Sequence, residues 1–398
     1  MKSIIASEYQ VSDSLTAEAL YQAARDLVPD IRARARAMAQ AGRLDDDLVD
    51  RIGQAGIFGM QVPRRWGGAG LGLHEAHKVI EILASGDCAT AWVSGFYILH
   101  NMLLSRYPEH VQEALYSEGP SVRAAAVWAP PGKVKKVDGG YELSGRWPYA
   151  SGVYHADFVM LPGLVEEVPY WFIVPVKQVT ILNDWDMTAM AGTGSATVTT
   201  DSLFIPDGWG APTTKLVSAT EHGGAGHDEA IYRYNFSAFL MMTPSIAIGG
   251  LMHAVEIGRE KLDTSKPYGI ARINRALSRV RWADAYQRLR TIRLIRDAST
   301  DEIIENGDAG VPASLESEGR IGLDTISVVH GAANAARLRI DGAGSSSYRG
   351  GDALPRVVAD LSMIATHILG YDYDVLMERN ARWVLGLGLG PEDATIRL

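Results

Sequence analysis

The first residues in this chain whose types and spacing could do chemistry lie in the small step Ala150-Ser151-Gly152, inside GGYELSGRWPYASGVYHADF over residues 139–158. Tyr141, Leu143 and Trp147 carry a strand signal, Gly139-Gly140 supplies a turn before it, and small residues let a backbone approach a flat ligand closely. The step reads as a cofactor floor or, equally, as a sheet corner, where Ser and Gly are ordinary turn residues. His100 lies in AWVSGFYILHNMLL, a segment apolar nearly all round, so its ring must find a polar partner. A satisfied core histidine and an active-site role weigh the same on this evidence.

Other candidates carry less. His74 and His77 stand three apart on one expected helix but have no second ligand pair, so a metal site is not expected. His222 and His227 fall in a Gly-containing stretch that reads as a flexible surface loop. The glycine run 67–72 lacks the lysine of a phosphate-binding loop and reads as a loop between helices. The single cysteine, Cys88, rules out an internal disulfide framework and a four-thiolate metal centre, and suits a reducing compartment.

These residues are held by a chain of 398 residues, 47% hydrophobic, long enough for two or three packed units. A formal net charge of −9 leaves no basic stripe for phosphate neutralisation, which argues against nucleic acid. The N-terminus lacks the apolar core of a signal peptide and no run approaches a membrane span, so the expected location is the cytoplasm. Helical periodicity runs from Ser14 to about Gln112, with Pro29 as an expected kink or break. Short β runs follow from about Ser121 to Trp209, and helical stripes return from Tyr232, ending in one helix from Leu354 to about Leu385. The expected units are an N-terminal helical domain over 1–120, a β-domain over 121–212, a linker over 213–230 and a helical bundle over 231–398. The class is α+β.

Laid out in this order, the chain resembles the acyl-CoA dehydrogenase superfamily: N-terminal helical domain, middle β-domain, C-terminal four-helix bundle. Gly139-Gly140-Tyr141 through Trp147, Trp185-Asp186-Met187 through Gly192-Thr193-Gly194-Ser195, and Leu203-Phe204-Ile205-Pro206 carry the likeness. Where a dehydrogenase often places a Glu to take the α-proton of a thioester, this chain has His367 and Ile368. The segment instead resembles the two-component flavin monooxygenase branch (group D hydroxylases), whose motif of Leu, Arg, Asp and a later His is matched by Leu354, Arg356, Asp360 and His367, with Ala359 replacing a second Arg. Trp147 to Gly152, and Trp92-Val93 followed by His100, resemble further stretches of that branch.

The resemblance implies an enzyme that uses reduced flavin, FADH2 or FMNH2, and O2 through a C4a-hydroperoxide to hydroxylate an aromatic or polyketide-like small molecule. His367 is implied as the base for a phenolic proton, Ser151 as the partner of flavin N5, and His100 as a group orienting substrate. Trp147, Tyr149, Ser151, Gly152, Thr193, Ser195 and Arg272 are the implied cofactor contacts, Arg272 towards the flavin phosphates of a neighbouring subunit. Trp128 is a further aromatic surface. No nucleotide-binding glycine motif follows a strand with an acidic residue some 20 positions on, so a separate NAD(P)H:flavin reductase is expected as partner. A homotetramer is implied by resemblance alone. N-oxygenation of an amine or amino sugar, acyl-CoA dehydrogenation and a non-catalytic binding role remain open at this point.

Overall fold

The computed structural model describes residues 15–234, 237–311, 313–349, 351–367 and 373–390; residues 1–14 and Ile368 lie outside them. Five helices come first: α1 (Ala17–Ala41), α2 (Asp46–Gln54), α3 (Leu73–Ala84), α4 (Cys88–Leu104) and α5 (Glu109–Leu115). The Thr16 hydroxyl caps α1 by accepting the Ala19 N–H at 3.3 Å. Pro29 does not break α1: the helix continues through it, with Leu27 on one side and Ile31 on the other both buried. In α4 nearly every side chain is buried, and Asp87 caps it by accepting the Thr90 N–H at 3.0 Å. The glycine run serves packing, since a Cβ on Gly68 would sit 2.1 Å from the Val62 carbonyl.

The middle of the chain forms one mixed sheet of β1 (Ala124–Ala126), β2 (Gly132–Val137), β3 (Gly140–Ala150), β4 (Phe158–Val165), β5 (Val168–Pro175), β6 (Thr180–Ile181), β7 (Ala196–Pro206) and β8 (Gly210–Pro212). Its order is β6-β7-β3-β2-β4-β5-β8, with β1 parallel to β4. The β3–β7 register slips between Trp147 and Ala150, a bulge that re-aims the side chains just before Ser151. Trp147 points into a core on the sheet with Leu143, Phe172 and Val198, fully buried, its Nε1 donating to the Pro162 carbonyl at 3.0 Å.

The C-terminal part holds α6 (Thr213–Leu216), α7 (Ser237–Leu240), α8 (Met242–Thr264), α9 (Ala276–Asp308), α10 (Leu315–Ala343), α11 (Leu354–Ile364) and α12 (Tyr373–Val384). The expected single last helix is thus two helices, and α11 stops three residues before His367, where Thr366 and His367 donate backbone N–H groups to Met363 and Ile364 in a closing turn. α10 packs against α8, α9, α11 and α12.

The segment between sheet and bundle is pinned rather than flexible. Arg106, buried at the end of α4, donates to the carbonyls of Leu216 and Ser218 through Nη1 and to those of Ile231 and Tyr234 through Nη2, at 2.8–3.2 Å. His222 bonds the Tyr232 carbonyl at 2.8 Å and His227 the Ser105 carbonyl at 3.0 Å, so both histidines are buried stitches. No cluster able to hold a metal exists among the described residues, and none of their helices is long and apolar enough to cross a membrane.

Replacing Arg106 by Met would remove the guanidinium hydrogen bonds to the carbonyls of Leu216, Ser218, Ile231 and Tyr234. The expected cost is about 3 kcal/mol of unfolding free energy, read by urea denaturation; a loss below about 0.5 kcal/mol, the scale of an ordinary surface change, would show that the segment does not depend on this cation.

Candidate active site

A cleft open to solvent lies where α4, the end of β3, the turn before β7 and the end of α11 meet. Trp92, Ser151, Thr193, Ser195, Met190, Trp185, Tyr149, Met363, Ile364 and His367 line it. Its floor is a string of hydroxyls. Trp92 Nε1 donates to Ser151 Oγ at 3.2 Å, Ser151 Oγ meets Ser195 Oγ at 2.8 Å, Ser195 Oγ meets Thr193 Oγ1 at 2.7 Å, and Thr193 Oγ1 donates to the Met190 carbonyl at 2.8 Å. The Gly152 N–H donates to the Thr193 carbonyl at 2.9 Å, locking the end of β3 to the turn that carries Thr193.

Local backbone explains how these side chains converge. Tyr149 (φ 66°) and Met190 (φ 51°) both adopt the left-handed region that bulky residues avoid, and both line the cleft. Strain of this kind persists where surrounding contacts hold it. At Met190 the holder is visible: its N–H donates to Asp360 Oδ1 of α11 at 2.6 Å. Asp360 is buried, Arg356 lies 3.5 Å from Asp87, and burial followed by the Asp87 charge pushes the Asp360 carboxyl up to about 7.

His367 faces this floor with its ring 5.2 Å from that of Trp92, and burial lowers its pKa to about 4. Trp92 packs edge-on to Phe96 at 5.0 Å, and Phe96 stacks on His100 at 5.2 Å. His100 therefore sits behind two aromatic rings, bonded through Nδ1 to the Ala124 carbonyl at 2.6 Å, with its pKa also lowered to about 4 by burial. It does not line the cleft.

The structure thus brings His367, Ser151, Tyr149, Thr193 and Ser195 together in one cleft, whose lining does not include Trp147, Gly152, His100 or Arg272, the last of which was expected to face a neighbouring subunit. Trp147 is committed to the sheet core. Gly152, with φ 75°, lies against α4: a Cβ there would come within 2.8 Å of Val93 and 2.9 Å of the Tyr97 hydroxyl, so its smallness serves this packing. Arg272 caps the end of α10, donating to the Gly342 and Ala343 carbonyls at 2.8 Å each. Trp128 packs on Trp171 at 4.6 Å, away from the cleft lining. Sequence reasoning had not assigned Trp92, Trp185 or Met190 to the site; the spacing of Trp92, Phe96 and His100 at every fourth residue of one helix was the signal for the first.

The lining suits a flat aromatic group with polar edge atoms, because hydroxyls meet its rim while indole, phenol and methionine side chains cover its faces. Residues 14–115 match the family described as Acyl-CoA dehydrogenase, N-terminal domain. The pigment production hydroxylase of a Rhodococcus species is 29% identical over 381 residues, spanning 91% of this chain and 95% of that protein. The oxygenase component of an FADH(2)-dependent resorcinol hydroxylase from a Rhizobium species is 30% identical over 181 residues, 44% of either chain. The solved structure of XiaF from Streptomyces sp. in complex with FADH2 and glycerol matches with a TM-score of 0.85 over 94% of this chain and 96% of that one, at 19% identity, a likeness of fold.

Asp360 generates a stability test. Its folded pKa is raised above the unfolded value, so the native state holds the proton more tightly and the stability this group contributes falls as pH rises from about 4 through about 7. Asp360→Asn keeps an oxygen for the Met190 N–H and removes the charge, so it should gain on the order of 1–3 kcal/mol relative to the unmodified protein between pH 5 and pH 8. Urea curves at both pH values check this; a difference that does not change with pH would mean that Asp360 is ionised in the folded protein throughout.

Proposed function

The chain has the acyl-CoA dehydrogenase-like fold and its homologues are oxygenase subunits of flavin-dependent monooxygenases; from that premise we propose that it uses reduced flavin and O2 to hydroxylate an aromatic or polyketide-like small molecule. The observation that carries the reading is the hydroxyl floor of Ser151, Ser195 and Thr193 facing His367 across a cleft walled by Trp92, Trp185 and Tyr149. A histidine stands where α-proton abstraction from a thioester would call for a carboxylate, which favours oxygenation over dehydrogenation.

Bound reduced flavin would supply two electrons, so that one atom of O2 enters the substrate and the other leaves as water. Ser151 would hold the flavin at N5, Thr193 and Ser195 would steady Ser151, and the rings of Trp92, Trp185 and Tyr149 would cover the faces and keep water out. His367 would receive the phenolic proton of the substrate. With its pKa near 4 and a phenol near 10, full transfer before reaction would be uphill by about 8 kcal/mol. The imidazole therefore accepts a hydrogen bond in the ground state and takes the proton as the new C–O bond forms.

A separate NAD(P)H:flavin reductase is the proposed partner, supported by the oxygenase-component naming of the resorcinol hydroxylase relative. Arg272 lies with Arg281 and Arg339 around one small hollow, which supports a role towards the phosphates of a flavin held mainly by another subunit, and so FAD over FMN. Leu277, Val280 and Leu294 expose 72%, 62% and 61% of their area along α9, which supports assembly through the bundle into the proposed homotetramer. The cytoplasm remains the proposed location.

Incubation with reduced FAD or FMN, O2 and a panel of phenols should give products heavier by one oxygen atom. His367→Ala should still consume oxygen but release H2O2, with product formation lower by about 10²–10⁴. Equal product yield from the variant would remove His367 as the base. Because His367 is already neutral well below its ordinary pKa, the unmodified enzyme should show no inflection near pH 6.5 in product formation; an inflection there that disappears in His367→Ala would overturn the transfer order argued above.

A further inference from the structure

The hydroxyl floor can be fully hydrogen-bonded in one direction only. Three contacts join Ser151 to Ser195, Ser195 to Thr193, and Thr193 to the Met190 carbonyl, and the three hydroxyls bring three hydrogens. A carbonyl only accepts, so Thr193 gives its hydrogen to Met190; Ser195 must then give its hydrogen to Thr193, and Ser151 its hydrogen to Ser195. The other end is closed by Trp92, whose indole N–H only donates and whose partner is Ser151 Oγ. Any reversal would leave a contact between buried oxygens without a hydrogen, since Thr193 is 3% and Ser195 5% exposed. Ser151 therefore has its hydrogen committed inwards and one lone pair left towards the cleft.

We propose that Thr193 and Ser195 determine specificity for the oxidation state of the flavin: they fix Ser151 as an acceptor towards the cleft, which favours reduced flavin, whose N5 carries a hydrogen, over oxidised flavin, whose N5 offers a lone pair. This rests on the flavin reading given above and extends it to residues that touch N5 only through Ser151. An oxygenase built in this way takes the reduced cofactor and lets the oxidised one go without a conformational change, because the mismatch arises in the redox change itself. Met190 is the anchor of the direction, and its position is held by Asp360.

The test is the ratio of dissociation constants for oxidised and reduced forms of FAD and FMN, measured by anaerobic ultrafiltration with the filtrate assayed after reoxidation. The unmodified protein should prefer the reduced form. Thr193→Val and Ser195→Ala each free the Ser151 hydrogen to turn outwards, so each should shrink that preference by about tenfold, the scale of one buried neutral hydrogen bond, mainly through tighter binding of oxidised flavin. Thr193→Ser should keep the ratio, and so should Trp92→Phe, which removes a donor but none of the three hydrogens. A folded Ser195→Ala or Thr193→Val with the unmodified ratio overturns the proposal, as does an unmodified protein with no preference. Retention of neither flavin form would instead overturn the flavin reading on which the proposal rests.

Discussion

The bond from the Met190 N–H to the Asp360 carboxylate joins the bundle to the sheet at the base of the cleft, and the site depends on it. Met190 is held in a left-handed conformation there, and its own carbonyl receives the end of the hydroxyl string. One residue thus takes its backbone orientation from α11 and passes it to the Thr193, Ser195 and Ser151 side chains. The same helix α11, one turn further on, presents Met363 and Ile364 to the cleft, and His367 follows in the turn that ends it. Floor and opposing wall therefore share one anchor, and a shift of α11 against the sheet would disturb both together.

That anchor carries an electrostatic penalty. Asp87 and Asp360 are both buried near one guanidinium, Arg356. Burial raises the pKa of both carboxyls, and at Asp360 the charge of Asp87 raises it further. Arg106 solves the opposite problem: a buried cation without a carboxylate bonds four carbonyls through Nη1 and Nη2 and draws the segment between sheet and bundle onto the N-terminal helices. Asp360 and Arg106 each hold a strained or irregular piece of backbone that has no regular helix or strand partner.

Much of this architecture was legible from residue patterns. The apolar stripes of α1 to α4 and the β-branched runs of β4, β5 and β7 read directly as elements, because their burial follows from periodicity. The lysine-rich β2 was missed, since a strand that pairs centrally but leaves its three lysines in solvent and only half-buries its valines carries a weak apolar signal. The break between α11 and α12 was missed for the converse reason, as apolar residues continue past the helix end. Histidines 222 and 227 looked like surface residues because the carbonyls they bond lie in other segments, around Ser105 and Tyr232.

For the site, the sequence by itself determined the helix–sheet–helix order, the Ala150-Ser151-Gly152 step and the histidine after the Leu354 segment, all local in the chain. Only the tertiary structure decided which of the plausible side chains share one space. It set Trp147 into the sheet core, turned Gly152 towards α4, placed His100 behind Phe96 and Trp92, and sent Arg272 to the end of α10. It also gave the hydroxyl string its direction. The physical reason is that residue type fixes what a group can donate or accept, whereas partner, burial and direction depend on segments distant in sequence, such as Asp360 and Met190, that meet only after folding.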